Sequence, residues 1–146
     1  MATPIQPGDK VFLDTSFALA LSAPTDQLHE RAEELADELE AKKAKLITTR
    51  AVLLEIGNAL SRQRYRPAAV SLLRSLEADA NVEIIPLTDD LYSKAFELYS
   101  SRTDKEWGLI DCASFVVMSE RGMKKALTAD EHFQQCGFHT LLRGDV

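Results

Sequence analysis

Short apolar runs alternate with stretches of helical period along the whole chain, and this alternation limits the fold more than any other feature. Lys10–Leu13 (KVFL), Lys45–Thr48 (KLIT), Val82–Leu87 (VEIIPL), Lys125–Thr128 and Phe138–Leu142 are too short for stable helices and read as strands. Between them the pattern predicts helices over Ser16–Ser22, from Asp26 to about Ala44, and from Thr49 to about Gln63. Further helices are expected over Ala68–Asp79, from about Asp90 to Ser101, over Leu109–Arg121 and over Asp130–Gln135. Leu28, Ala32, Leu35, Ala36 and Leu39 recur at the three-and-four spacing of an amphipathic face. Asp26, Thr49 and Thr88 sit where N-caps belong, and Pro67 suits a first helical turn. Leu109–Arg121 is apolar around most of its circumference, so it should be a central buried helix stopped by Gly122. Strands alternating with helices imply a parallel sheet covered on both faces. No repeat or linker divides the 146 residues, which read as one α/β domain over 1–146.

Composition removes several classes of function. No apolar run reaches the ~18 residues needed to span a membrane, and the first residues lack the cationic and apolar stretches of a signal peptide. A soluble, cytoplasmic protein is expected. Cys112 and Cys136 stand alone, outside any metal-ligand spacing, so neither a disulfide framework nor a structural zinc site is expected. The formal net charge of −6 argues against nucleic-acid binding at first sight. The charge is uneven, however: residues 1–44 carry −5, residues 45–75 carry +5, and residues 76–146 carry −6. The basic segment is either ordinary solvated helix surface or a cationic face for a polyanion.

Chemistry points to acidic residues where charge is expensive. Asp14 closes the first strand and Asp130 follows the fourth, so both belong at the carboxyl ends of strands, where an open parallel sheet forms its ligand crevice. Each also precedes a helix, and an N-cap would explain either one. Glu55 lies on the edge of the stripe Val52, Ile56, Ala59 and Leu60, with Gly57 and Asn58 beside it; small and polar neighbours suggest a site. Asp111 sits in the first turn of the most hydrophobic helix, where an unpaired carboxylate would cost several kcal/mol. Asp104, in the preceding polar loop, reads equally well as a solvated residue. Carboxylates gathered at one end of a sheet repel one another unless a divalent cation neutralises them. Oxygen ligands without His or Cys select magnesium or manganese. His29, His132 and His139 show no metal or triad spacing, and no phosphate-binding glycine loop is present. The remaining chemistry is metal-assisted hydrolysis, most naturally of a phosphodiester.

The stretches FLDTSFALAL, LLEIGNAL, DKEWGLIDCASFVVM and ALTADEHFQQCGF, in that order, resemble the PIN-domain ribonucleases, and most closely the VapC-type toxins of bacterial toxin–antitoxin pairs. The resemblance runs from about Val11 to Leu142, taken as the core of the PIN-like domain. It implies a three-layer α/β/α sandwich around a parallel sheet. It places the family's acidic quartet on Asp14, Glu55, Asp111 and Asp130, with Asp14 and Asp111 as the core Mg2+ ligands (Mn2+ as the substitute). Glu55 and Asp130 would complete the pocket directly or through water, while Thr15 or Ser16, together with Thr128, would orient carboxylates or water. Asp104 matches an acidic position common in the subgroup. Gly108 and Ile110 depart from it, since relatives carry small hydroxyl residues there, and the extension before Val11 is longer than in many relatives.

The resemblance further implies a magnesium-dependent endoribonuclease, with RNA as substrate, a homodimer and a cognate antitoxin protein whose tail enters the acidic groove. Arg62, Arg64 and Arg66, with Tyr65 among them, are candidates for RNA contact. They could equally complement a helix end or meet an acidic helix of this or a partner chain. Two other readings stand beside the nuclease: a PIN-fold RNA- or protein-binding module with little turnover, and a phosphotransferase using Asp14 as nucleophile. The second lacks an Asp two residues on to act as general acid.

Overall fold

In the computed structural model, which describes residues 5–143, the five apolar runs form one wholly parallel sheet. The strands are β1 (Lys10–Leu13), β2 (Lys45–Thr49), β3 (Val82–Ile85), β4 (Lys125–Leu127) and β5 (His139–Thr140). The helices are α1 (Thr15–Ser22), α2 (His29–Ala41), α3 (Arg50–Ala59), α4 (Arg66–Ala78), α5 (Asp89–Ser101), α6 (Leu109–Glu120) and α7 (Glu131–Gln135). The expected α/β class and parallel sheet are present. Residues 1–4 and 144–146 of the expected domain lie outside the described residues.

Strand order is β3-β2-β1-β4-β5, with Phe12 paired to Ile47 on one side and to Ala126 on the other. The chain steps outward from β1 to β3, then returns to lay β4 against the free side of β1. The order therefore reverses between β1 and β4, and a crevice opens at the carboxyl ends of those two strands. Side-chain alternation divides the interior into two layers. Phe12, Ile47 and Ala126 face a core built from α3, α5, α6 and α7, while Val11, Leu13 and Leu127 face one built from α1 and α2. The N-terminal extension is docked, with Ile5 buried in the second core and the Gly8 amide donating to the Lys42 carbonyl at 3.0 Å.

Several boundaries differ from the sequence expectation, each for a local reason. Asp26 does not cap α2: its Oδ1 accepts from the Leu28 amide at 2.8 Å and its carbonyl from His29, making a turn that delays the helix to His29. α3 stops at Ala59 instead of about Gln63, just beyond the poor helix formers Gly57 and Asn58. β3 ends at Ile85, because Pro86 has no amide to give the ladder. β5 is only two residues long, and Leu141–Arg143 turn away. Thr49 and Thr88 cap as expected, accepting from the Val52 and Leu91 amides at 3.2 and 3.1 Å. α6 is the buried helix, ringed by Trp107, Phe133 and Phe138 around Phe115. Gly122 follows it at φ +64, a left-handed conformation that glycine adopts without the strain of a Cβ, and lets the Met123 amide reach the Met118 carbonyl. Among the described residues no helix is long and apolar enough to cross a membrane.

Candidate active site

The β1–β4 crevice is lined by the residues that immediately follow those strands. Asp14 is 5% exposed. It occupies the N-cap position of α1, yet its side chain makes no cap bond. Its Oδ2 instead accepts from Thr128 Oγ1 at 2.7 Å and from Ser16 Oγ at 3.2 Å. Burial pushes the Asp14 carboxyl up to about 6, against the pull of the Thr128 hydrogen bond, and the charges of Asp111 and Glu55 add to the rise. The N-cap explanation therefore fails for Asp14. For Asp130 it holds, since Oδ1 accepts from the His132 amide at 2.9 Å at the head of α7.

Thr128 and Ser16 bind the two strand ends into one unit. The fully buried Thr128 hydroxyl accepts from the Asp130 amide at 3.0 Å, while Ser16 Oγ accepts from the Ala129 amide at 3.1 Å. The two hydroxyls lie 3.1 Å apart. Thr128 has one hydrogen, and it goes to Asp14, so the single Ser16 hydrogen is shared between Asp14 Oδ2 and Thr128 Oγ1. Glu55 enters from α3, which follows β2 without a loop and packs against α1 and α6. Its Oε1 accepts a hydrogen bond from the buried Thr15 hydroxyl. Hydroxyl groups on the turn after β1 thus hold two carboxylates.

Asp111 reaches the crevice from the first turn of α6, where it accepts from the Gly108 amide at 3.3 Å. Its side chain is 18% exposed. Burial raises its pKa, as does the charge of Asp130, while a hydrogen bond from His132 opposes the rise. His132 Nδ1 lies 3.1 Å from Asp111 Oδ2 and 3.4 Å from Asp130 Oδ1. Burial lowers the His132 pKa, but the Asp111 hydrogen bond and the surrounding carboxylates outweigh it and raise the value overall. The expectation that no histidine joins the site is thereby corrected. His132 is two residues beyond Asp130, so an Asp-x-His start to α7 was the available signal; spacing between histidines could not reveal it.

Other expected residues lie apart from this group. Asn58 is exposed on α3, and among the described residues its side chain bonds to none of the carboxylates. Asp104 is gripped at 3.0 Å by both arms of Arg102, whose guanidinium holds its carboxyl down at about 2 and itself lies over the Trp107 ring. Asp104 is therefore paired on the surface. Arg66 bonds the Ser61 carbonyl through Nε and Nη2 at 3.1 and 2.6 Å, serving the chain just beyond α3. Arg62 and Arg64 remain exposed, with Arg64 over the Tyr65 ring at 4.6 Å. At the two departures from the family pattern the backbone does the work: Gly108 donates its amide to Asp111, and the Ile110 carbonyl receives Ser114 Oγ at 3.1 Å. A depression of about 470 Å3 lined by Phe17, Leu39 and Leu72 contains none of the quartet.

The PIN domain family model matches residues 11–138. This chain belongs to the PIN-domain family. Within it, the chain is 30% identical over 128 residues to the 23S rRNA-specific endonuclease VapC20 of Mycobacterium tuberculosis, covering 88% of this chain and 95% of the relative. The crystal structure of M. tuberculosis VapC20, described as a Sarcin-Ricin loop cleaving toxin, superposes with a TM-score of 0.77 at 31% identity, covering 88% of this chain and 95% of that one. Two more distant structures share the PIN fold at 17% identity: VapBC2 from Rickettsia felis bound to a promoter DNA fragment, and FitAcB from Neisseria gonorrhoeae. Their TM-scores are 0.62 and 0.58, each covering 87% of this chain and 92% of the other. PIN nucleases use divalent metals, and the donors here fit one. Ligand atoms of Asp111, Asp130 and His132 lie within 4.8 Å of one another, and the nearby buried Asp14 carboxyl is penalised for carrying its charge uncompensated.

Proposed function

We propose that this PIN-domain chain, acting as a single unit in the cytoplasm, is a magnesium-dependent endoribonuclease and the toxin of a type II toxin–antitoxin pair. The observation that carries the reading is the convergence of Asp14, Glu55, Asp111 and Asp130 on the β1–β4 switch point, supported by the 30% identity to VapC20. Asp14 and Asp111 would hold the cation, with Glu55 and Asp130 completing the pocket directly or through water. A bound divalent cation supplies an activated water and stabilises the leaving oxygen of a phosphodiester. The protein's own contribution is alignment. Thr128 and Ser16 fix the Asp14 carboxylate, Thr15 fixes Glu55, and the α6 N-terminus with the Gly108 amide fixes Asp111. Arg62 and Arg64 would guide the RNA backbone, a homodimer would present two such crevices, and an antitoxin would inhibit by covering them. The name of the VapC20 relative makes ribosomal RNA the first substrate to try.

The test is cleavage of purified ribosomes and rRNA by metal-free protein reconstituted with Mg2+. Wild type should cut at a defined position, lose activity in EDTA and regain it with added cation. Asp14→Asn and Asp111→Asn should be folded and inactive. Cleavage by either variant would overturn the ligand assignment. RNA binding without cleavage by the wild type would favour a binding module in place of a nuclease.

A further inference from the structure

His132 is the feature that an all-carboxylate site does not explain. It stands in the first turn of α7, and its Nδ1 is turned toward both Asp111 and Asp130, at 3.1 and 3.4 Å. The imidazole is half-buried between them. Its orientation is fixed from two directions: its own backbone amide is held by Asp130 Oδ1 at 2.9 Å, and the following Phe133 is wholly buried against Phe12 and Phe115. The ring therefore has a defined approach to the acidic pair.

Two of the three donor spacings have the scale of neighbouring ligands on one metal ion, and all three donor atoms lie within 4.8 Å of one another. Adjacent donors on an octahedral ion with arms of ~2.0–2.1 Å lie about 2.9 Å apart, and on a tetrahedral ion about 3.3 Å. The two observed separations fall at that scale, and the three residues together offer one nitrogen and two oxygens. We infer that His132 is a ligand of the PIN-domain cation site, making it a mixed nitrogen–oxygen centre that binds Mn2+ in preference to Mg2+. The inference rests on the metal-dependent reading above and refines it. Magnesium favours oxygen and retains its waters, whereas imidazole suits first-row transition ions, whose affinity for such sites rises across the series from manganese. The competing role for His132 is mechanical: an N–H that clamps Asp111 against Asp130 without touching the cation. His132→Asn separates the two roles, because the Asn amide can still donate to Asp111 but offers no imidazole nitrogen.

Mn2+ alone serves as the probe. Binding is read from the loss of the free-ion electron paramagnetic resonance signal, Mg2+ affinity by competition, and coordination by pulsed measurement, in which a nitrogen bonded to manganese modulates the echo. Wild type should show nitrogen modulation. His132→Asn should lose it, and the Mn2+-over-Mg2+ preference should fall by on the order of tenfold or more. Bound Mn2+ without nitrogen modulation in wild type would overturn the inference. So would modulation that persists in the variant, or a preference that the variant leaves unchanged. In any of these cases, metal-dependent RNA cleavage would leave the nuclease reading standing. Failure to bind Mn2+ or Mg2+ at all, with no cleavage, would remove both.

Discussion

Replacing Asp14 by Asn in metal-free protein should raise stability at neutral pH and leave it nearly unchanged near pH 4. Burial lifts the Asp14 carboxyl from its ordinary value of 3.8 to about 6. Below both values the group is protonated in the folded and unfolded chain alike, and it contributes no pH dependence. As pH rises between them, the unfolded chain gives up its proton while the folded one keeps it, so stability falls. Above about 6 both states are ionised and the full penalty stands. At ~1.36 kcal/mol per pH unit the gap corresponds to roughly 3 kcal/mol. Asn escapes it, and because Thr128 and Ser16 both donate to the one oxygen Oδ2, an amide oxygen placed there keeps both partners, although it is an uncharged and weaker acceptor. Allowing about 1 kcal/mol for the weaker acceptor leaves a gain of roughly 2 kcal/mol, or ~4–8 °C in Tm for a chain of this length. Thermal melts of both proteins in EDTA from pH 4 to 8 measure the difference. A gain that is equally large at pH 4, or a variant less stable throughout, would show that Asp14 carries no ionisation penalty. Millimolar divalent cation should then narrow the gap by stabilising wild type selectively.

Thr128→Val keeps the shape of a fully buried residue but strips Asp14 of a donor and the Asp130 amide of its acceptor. It should cost about 2–3 kcal/mol in urea unfolding with an unchanged m-value, and a loss below about 0.5 kcal/mol would show the hydroxyl network to be dispensable. Asp104→Asn should leave RNA cleavage at the wild-type rate, because Asp104 is held on the surface by Arg102; a large rate loss would return it to the active site. Arg62→Gln with Arg64→Gln should weaken RNA binding and lower the slope of log affinity against log salt by about 1.4, the value for two phosphate contacts on a single strand. An unchanged slope would assign these arginines to a protein partner.

The sheet, the helix count and the acidic residues were legible because each leaves a local mark. Valine, phenylalanine and leucine before Asp14 spell a buried parallel strand, and an aspartate opening the apolar helix Leu109–Glu120 is conspicuous in one dimension. What escaped depends on contacts distant in sequence. The resemblance named Ser16 and Thr128 as orienting residues, but not that they meet, which happens only because β4 returns beside β1, 112 residues later. His132 gains its meaning from Asp111, 21 residues earlier on another helix. Asp104 looked as acidic as the others, and only Arg102 folding back onto it marks the difference. Local turns also overrode propensity, as where Asp26 bonded the Leu28 amide before the helix could begin.

The position of β4 has a consequence for how the protein is made. Asp14 leaves the ribosome well before the strand that completes its surroundings, Lys125–Leu127. At ~5–20 residues per second, several seconds of synthesis separate the two. Throughout that interval one edge of β1 has no neighbour, and the Thr128 hydroxyl that fixes Asp14 does not yet exist. Until β4 is made, a nascent chain has neither the Thr128 hydroxyl beside Asp14 nor the Asp130 carboxylate, so its acidic site is incomplete. Any product ended before Thr128 would carry Asp14, Glu55 and Asp111 without Asp130, and would expose a raw strand edge prone to pairing with other chains. Premature termination should therefore yield aggregates and proteolytic fragments in place of an active enzyme.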